Sequence, residues 1–258
     1  MAIFCYASGM RRAITILILL LIIIATFSYT VFYLGFRGGQ RDYFNRHDRT
    51  AFERSGFLRT IYRLHDYGDG RADYLGNKYS AIQINVYAMQ GLALDPDVYG
   101  RLNQEIQAVT GKSVSENTAN VQITDLPNIP DDQVDFIASR YTAKTSTAPG
   151  AATLNLFLFS ADQQQTDLLG KTHNENGIII FVDALKNFTS IFPDTLQNYE
   201  LSTVLHEFGH QLGLEHNDLP DCLMNPKAEL NDTAVGDPAD IVTDFCPAEL
   251  QQIQQTAY

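Results

Sequence analysis

Positive charge is in short supply in this chain. Its 258 residues carry 18 lysines and arginines against 30 aspartates and glutamates, a formal net charge of −12. Phosphate binding needs a basic surface, so this balance excludes nucleic acid as the partner. Internal repeats and low-complexity tracts are also lacking, so no repeat architecture is expected. Cysteine is scarce, with three in the whole chain. What is present is enough length for one medium domain with a sizeable core, plus extra segments. The charge is unevenly spread: arginines crowd residues 37–71, and the chain after Asp73 is acidic. That acidity is read as a solvated surface.

Ala13–Leu34 is almost uninterrupted apolar sequence. At about 1.5 Å per helical residue it is long enough to cross a hydrocarbon core of roughly 30 Å. Tyr29 and Tyr33 fall near one end, where aromatic rings favour the membrane interface. An uncleaved transmembrane anchor is the expectation. The alternative is a cleaved signal peptide, since Arg11-Arg12 precede the apolar core. Against cleavage, no small-x-small site and no lipobox cysteine follow the core. Orientation is contested. Arg37, Arg41, Arg46, Arg49 and Arg54 follow the span, and the positive-inside rule would keep the C-terminal part in the cytoplasm. The short N-terminus with its own basic pair argues the opposite. So do the cysteines, because Cys5 lies before the span and only Cys222 and Cys246 remain in the soluble part. That pair suggests a disulfide formed in an oxidising compartment, against the alternative of two unpaired buried thiols. The domain is therefore expected outside the cytoplasm.

Residues 37–78 read as a basic juxtamembrane segment, opened by Gly38-Gly39 and closed by the turn Tyr67-Gly68-Asp69-Gly70. Phe44, Phe52, Phe57, Leu58, Ile61, Tyr62 and Leu64 are spaced loosely like an amphipathic helix. A plain spacer is the simplest role; packing on the domain, lying on the membrane, or covering a cleft as a pro-segment are the alternatives. The expected division is residues 1–36 as anchor or signal, 37–78 as juxtamembrane segment and 79–258 as the folded domain.

Within that domain, Ala81–Ala88 alternates apolar and polar residues and predicts a half-buried strand. Asp95-Pro96 caps and opens a helix with Val98, Leu102, Ile106 and Val109 down one face. A short strand around Asn120–Thr124 and a second helix over Asp131–Tyr141 follow. Thr153–Phe159 and Gly177–Val182 predict strands. The apolar Ile178-Ile179-Ile180-Phe181-Val182 fits a strand covered on both faces. His173 lies in the loop between them and reads as an exposed loop histidine. Pro247 at a first helical position, with Leu250 and Ile253 three apart, predicts a C-terminal helix. The fold class is α/β (α+β), a mixed twisted sheet with helices.

The chemistry sits in His206-Glu207-Phe208-Gly209-His210-Gln211-Leu212-Gly213-Leu214-Glu215-His216. Residues four apart share a helix face, so His206 and His210 can present imidazoles to one point. Glu207 projects beside them. Gly213 comes where such a helix must end, since glycine enters the left-handed conformation at little cost, and the turn can bring His216 back. Three neutral imidazoles with an open fourth position are the arrangement of a catalytic zinc site. The extended spacing is far more restrictive than a bare H-E-x-x-H.

With the downstream Met224 in Cys222-Leu223-Met224-Asn225-Pro226, the motif resembles the metzincin zinc peptidases. That resemblance implies one catalytic Zn2+ bound by His206, His210 and His216, with Glu207 as general base and Met224 in a tight turn beneath the metal. It also implies a metzincin-like fold: an edge strand lining the cleft, the zinc helix, and a C-terminal helix that a Cys222–Cys246 bridge would tie to the methionine turn. The Cys-x-Met spacing is similar to archaemetzincins, but Asn217 stands where they place a cysteine after the third histidine. Only Cys246 follows where they have Cys-x-x-Cys, so a second zinc site is doubtful. The short distance from His216 to Met224 is similar to the matrixins, whose cysteine-switch motif is absent. Asp218 and Asp221 are candidates to orient His216 from behind. The implied activity is a membrane-tethered zinc endopeptidase (a metalloendopeptidase) acting on polypeptides. The other reading is an inactive zinc-binding or adhesion module on a membrane anchor.

Overall fold

The computed structural model describes residues 14–30, 70–117, 122–123, 131–142, 150–160, 168–174, 176–226 and 241–255. Its contacts divide the chain into Met1–His65 and Asp66–Tyr258. In the first unit, residues 14–30 are helical (α1). Isoleucines and leucines on every side of this helix are exposed. The membrane-spanning helix expected over residues 13–34 is described only over residues 14–30. Among the described residues no helix is long and apolar enough to cross a membrane. The amphipathic stretch expected at 44–64 lies outside the described residues.

The second unit opens with α2 (Arg71–Leu75). Tyr74 is fully buried, its ring 5.4 Å from Phe208 and its hydroxyl donating to the Thr153 carbonyl at 3.0 Å. The sheet is built from β1 (Ala81–Met89), β2 (Ser113–Asn117), β3 (Gln122–Ile123), β4 (Ala151–Phe159), β5 (Gly170–His173) and β6 (Gly177–Phe181). Its order is β2-β1-β4-β6-β5, with β3 also paired to β1. All pairings are parallel except β5 against β6. A parallel sheet carries its crossovers as helices on its faces, so interior strands are covered on both sides. That explains why β1 departs from a half-buried strand. Ile82, Ile84 and Val86 are buried, and so are Asn85, Tyr87 and Met89 on the opposite face.

Helix α3 (Pro96–Thr110) starts where the sequence predicts. The Asp95 side chain accepts from the Asp97 N–H, Pro96 needs no donor at the first turn, and Gly111 ends the helix in the left-handed conformation. Val98, Leu102 and Ile106 are fully buried. Helix α4 (Asp131–Thr142) buries Val134 and Ala138. Phe136 on the same helix is 66% exposed.

Three elements differ from expectation for local reasons. β2 is polar in sequence but gains its ladder from register with β1, Ile84 facing Glu116 and Asn85 facing Asn117. β5, read as loop, is a strand because Gly170 through His173 pair with Ile180 through Gly177. The apolar run leaves the sheet one residue early, and α5 (Val182–Phe188) begins at Val182. Two 3-10 turns, Thr189–Ile191 and Pro193–Thr195, then lead into α6 (Leu196–Gln211). Helix α7 (Pro247–Gln255) closes the unit.

Candidate metal centre

Helix α6 is buried over almost its whole length, so its side chains are set by packing rather than by solvent. His206 and His210 rise from one face at the four-residue spacing. The helix then stops in a Schellman turn. The Leu214 N–H bonds the Gly209 carbonyl at 3.0 Å, the Gly213 N–H bonds the His210 carbonyl at 2.9 Å, and Gly213 takes φ 82°. The turn returns the chain so that His216 Nε2 lies 3.2 Å from His206 Nε2 and 3.1 Å from His210 Nε2.

Two of these imidazoles are fixed by backbone carbonyls. His206 Nδ1 lies 2.6 Å from the Leu223 oxygen and His210 Nδ1 2.8 Å from the Leu214 oxygen. A carbonyl only accepts, so both histidines carry their proton on Nδ1 and turn the Nε2 lone pair toward His216. Lone pairs gathered this closely need a positive centre among them. Tetrahedral zinc–nitrogen bonds of about 2.0–2.1 Å place the nitrogens roughly 3.3 Å apart. The donor set therefore fits that ion. Asp218 and Asp221, the sequence candidates for orienting His216, are exposed in the loop. The carbonyls of Leu223 and Leu214 orient His206 and His210 instead.

Glu207 is buried, and its Oε2 accepts a 2.7 Å hydrogen bond from Thr172 Oγ1 on β5. Nothing in the sequence marks Thr172, because its partner lies 35 residues away.

Met224 is fully buried directly behind the helix. A Cβ built on Gly209 would overlap the Met224 Sδ and sit 3.1 Å from the Phe245 ring. The glycine inside the H-E-F-G-H stretch is thus the seat of the methionine. Cys222 and Cys246 form a disulfide with Cα atoms 5.0 Å apart, joining this turn to the start of α7.

Sequence reasoning passed over Glu249, although it holds this region together. Its buried carboxylate accepts from the N–H groups of Leu223 (3.2 Å), Met224 (2.7 Å) and Cys246 (2.9 Å), and from Asn217 Nδ2 (2.9 Å). A signal existed. Glu249 lies three residues after the residue that precedes α7, the spacing of a capping box. Its reach to the methionine turn had no such signal. Gln211 is a second omission; its Nε2 donates to the carbonyls of Asn174 (3.1 Å) and Gly177 (2.8 Å) and ties α6 to the β5–β6 turn.

His173 is not the exposed loop residue that the sequence suggests. It is 5% exposed, its Nδ1 donates to Asp135 Oδ1 at 2.9 Å, and its ring stands edge-on to Phe157. Lys171 binds the other Asp135 oxygen at 2.9 Å. Burial pushes the Asp135 carboxyl upward, but the His173 hydrogen bond and the Lys171 charge outweigh it and leave the group below its ordinary value.

The sequence profile of peptidase family M54 matches residues 83–255. No curated protein sequence matches the chain. Among solved structures, the archaemetzincin from Methanopyrus kandleri is similar at 13% identity and a TM-score of 0.47, over 68% of this chain and 95% of that one. The archaemetzincin from Archaeoglobus fulgidus is similar at 13% identity and a TM-score of 0.42, over 66% of this chain and 99% of that one. A zinc-dependent peptidase from Methanocorpusculum labreanum is similar at 16% identity and a TM-score of 0.44, over 66% and 99% of the two chains.

Proposed function

The chain belongs to peptidase family M54, and on that premise we propose that it is an endopeptidase whose metal ligands are His206, His210 and His216 and whose general base is Glu207. Peptidases of this family are zinc-dependent. Of the two branches that the sequence resembles, the family match favours the archaemetzincin one over the matrixin one. The observation that carries the residue assignment is the approach of His216 Nε2 to His206 Nε2 (3.2 Å) and to His210 Nε2 (3.1 Å), next to the buried Glu207 carboxylate.

His206, His210 and His216 would hold the zinc, which when bound would supply an acidified water and a Lewis acid for the scissile carbonyl. The remaining work falls to side chains of this protein. The Leu223 and Leu214 carbonyls hold the His206 and His210 rings with their lone pairs inward. Glu207 takes the proton released by the attacking water and returns it to the leaving amine. Met224 reaches no substrate; it fills the space behind His206 and His210 that Gly209 leaves free.

The test uses the full chain, with metal analysis beside a peptide-library cleavage assay. Glu207→Gln is expected to keep one zinc per chain and to lose about 10²- to 10⁴-fold in turnover. Cleavage by Glu207→Gln at the wild-type rate would remove Glu207 from the mechanism. A wild-type protein that binds zinc but cleaves nothing would favour the adhesion module instead.

A further inference from the structure

We propose that Thr172 is a positioning residue that holds the Glu207 carboxylate in its working orientation, an inference that rests on the peptidase reading above. Its hydroxyl donates to Glu207 Oε2 at 2.7 Å in a buried site. A carboxylate so engaged keeps one oxygen occupied and turns the other in a fixed direction. A donor to a charged acceptor in low dielectric is stronger than one in water.

The contact follows from how α6 lies along the β5–β6 edge. Thr203, Glu207 and Gln211 are four residues apart and form one stripe of the helix. Each member of the stripe meets the hairpin. Thr203 packs on Gly170, where a Cβ would come within 2.7 Å of the Thr203 methyl. Gln211 donates to the carbonyls of Asn174 and Gly177 at the turn. With both ends of the stripe pinned, Thr172 falls opposite Glu207. Strand alternation turns Lys171 and His173 to the other face, where both bind Asp135 on α4. The strand carrying Thr172 is therefore held from both faces.

The experiment compares Thr172→Val and Thr172→Ser in the full, zinc-loaded chain. Thr172→Val is expected to lower kcat on the order of 10- to 100-fold with little change in KM, as a misplaced catalytic group does. Thr172→Ser, which keeps the donor, should recover most of that loss, whereas a packing role would make valine the better substitute. In the Glu207→Gln background, Thr172→Val should cost nothing further, since the two act through one group. Wild-type kcat in Thr172→Val overturns the proposal, and so does an equal loss in the serine and valine variants. If wild-type protein cleaves no peptide, the peptidase reading falls separately. Metal-loaded crystals then decide the positioning claim: a Glu207 carboxylate unmoved in Thr172→Val overturns it, and a rotated one supports it.

Discussion

Gly209 shows how much of the site depends on one missing methyl. The α6 backbone at this point touches the Met224 sulfur, with the Phe245 ring at its side. Gly209→Ala should push the methionine turn away, and with it the Leu223 carbonyl that orients His206. Overpacking of a filled core costs about 1–3 kcal/mol. A lowered melting temperature together with weaker zinc retention is expected, and an unchanged zinc affinity would show the turn to be uncoupled from the ligands. Glu200 makes a different prediction. Burial pushes its carboxyl above the ordinary 4.5, a shift that the Asp95 N–H only partly offsets. The folded state then holds its proton to higher pH than the unfolded chain, so stability should fall as pH rises from about 4.5 through the folded value. Glu200→Gln should flatten that slope in denaturant titrations across the acid range. At this scale the convergence of His206, His210 and His216 was legible, because a four-residue period and a glycine turn are written in consecutive residues. Glu249 was not, because its partners at the methionine turn are backbone groups 25 and 26 residues away.

Elements were readable where their own residues decide them. Helix α3 begins at Asp95-Pro96 and ends at Gly111, each residue type explaining its place. The strand β5 is the opposite case: Gly-Lys-Thr-His has no period of its own and becomes a strand only through β6. The run Ile178–Val182 has one hydropathy throughout, so nothing in it marks the passage from strand to helix at Val182. Helix α7 was expected from Pro247, Leu250 and Ile253, but its tie to the metal site comes from Glu249 and the Cys222–Cys246 bridge. Cys246→Ser should cost about 3 kcal/mol, from freeing a loop with a sequence separation of 24 in the unfolded chain. Glu249→Gln replaces one acceptor oxygen of a carboxylate that serves four donors. It should lower both the melting temperature and the zinc affinity, read by competition with a chelator. A loss confined to melting temperature would limit Glu249 to holding α7.

Taken whole, the described second unit sets a parallel sheet, its covering helices and a metal helix against one antiparallel edge strand. That arrangement was legible as an alternation of strands and helices, but the side on which β5 joins required the pairing itself. Zinc binds the folded ligand set and not the open chain, so it adds stability by mass action, about 2.7 kcal/mol at one hundred times its dissociation constant. Chelation should therefore lower the melting temperature, and stoichiometric zinc should restore it. An identical melting temperature with and without chelator would show that the three imidazoles do not take up the ion on folding.

Glu249 stands 33 positions beyond His216, counting from 216 to 249 in the sequence. Every imidazole of the centre thus leaves the ribosome before the carboxylate that braces the turn beneath them. A partly synthesised chain already holds its three ligands but has no clamp to keep Leu223 and Asn217 in place. The brace beneath the methionine turn therefore closes only when α7 docks, after all three histidines have been made.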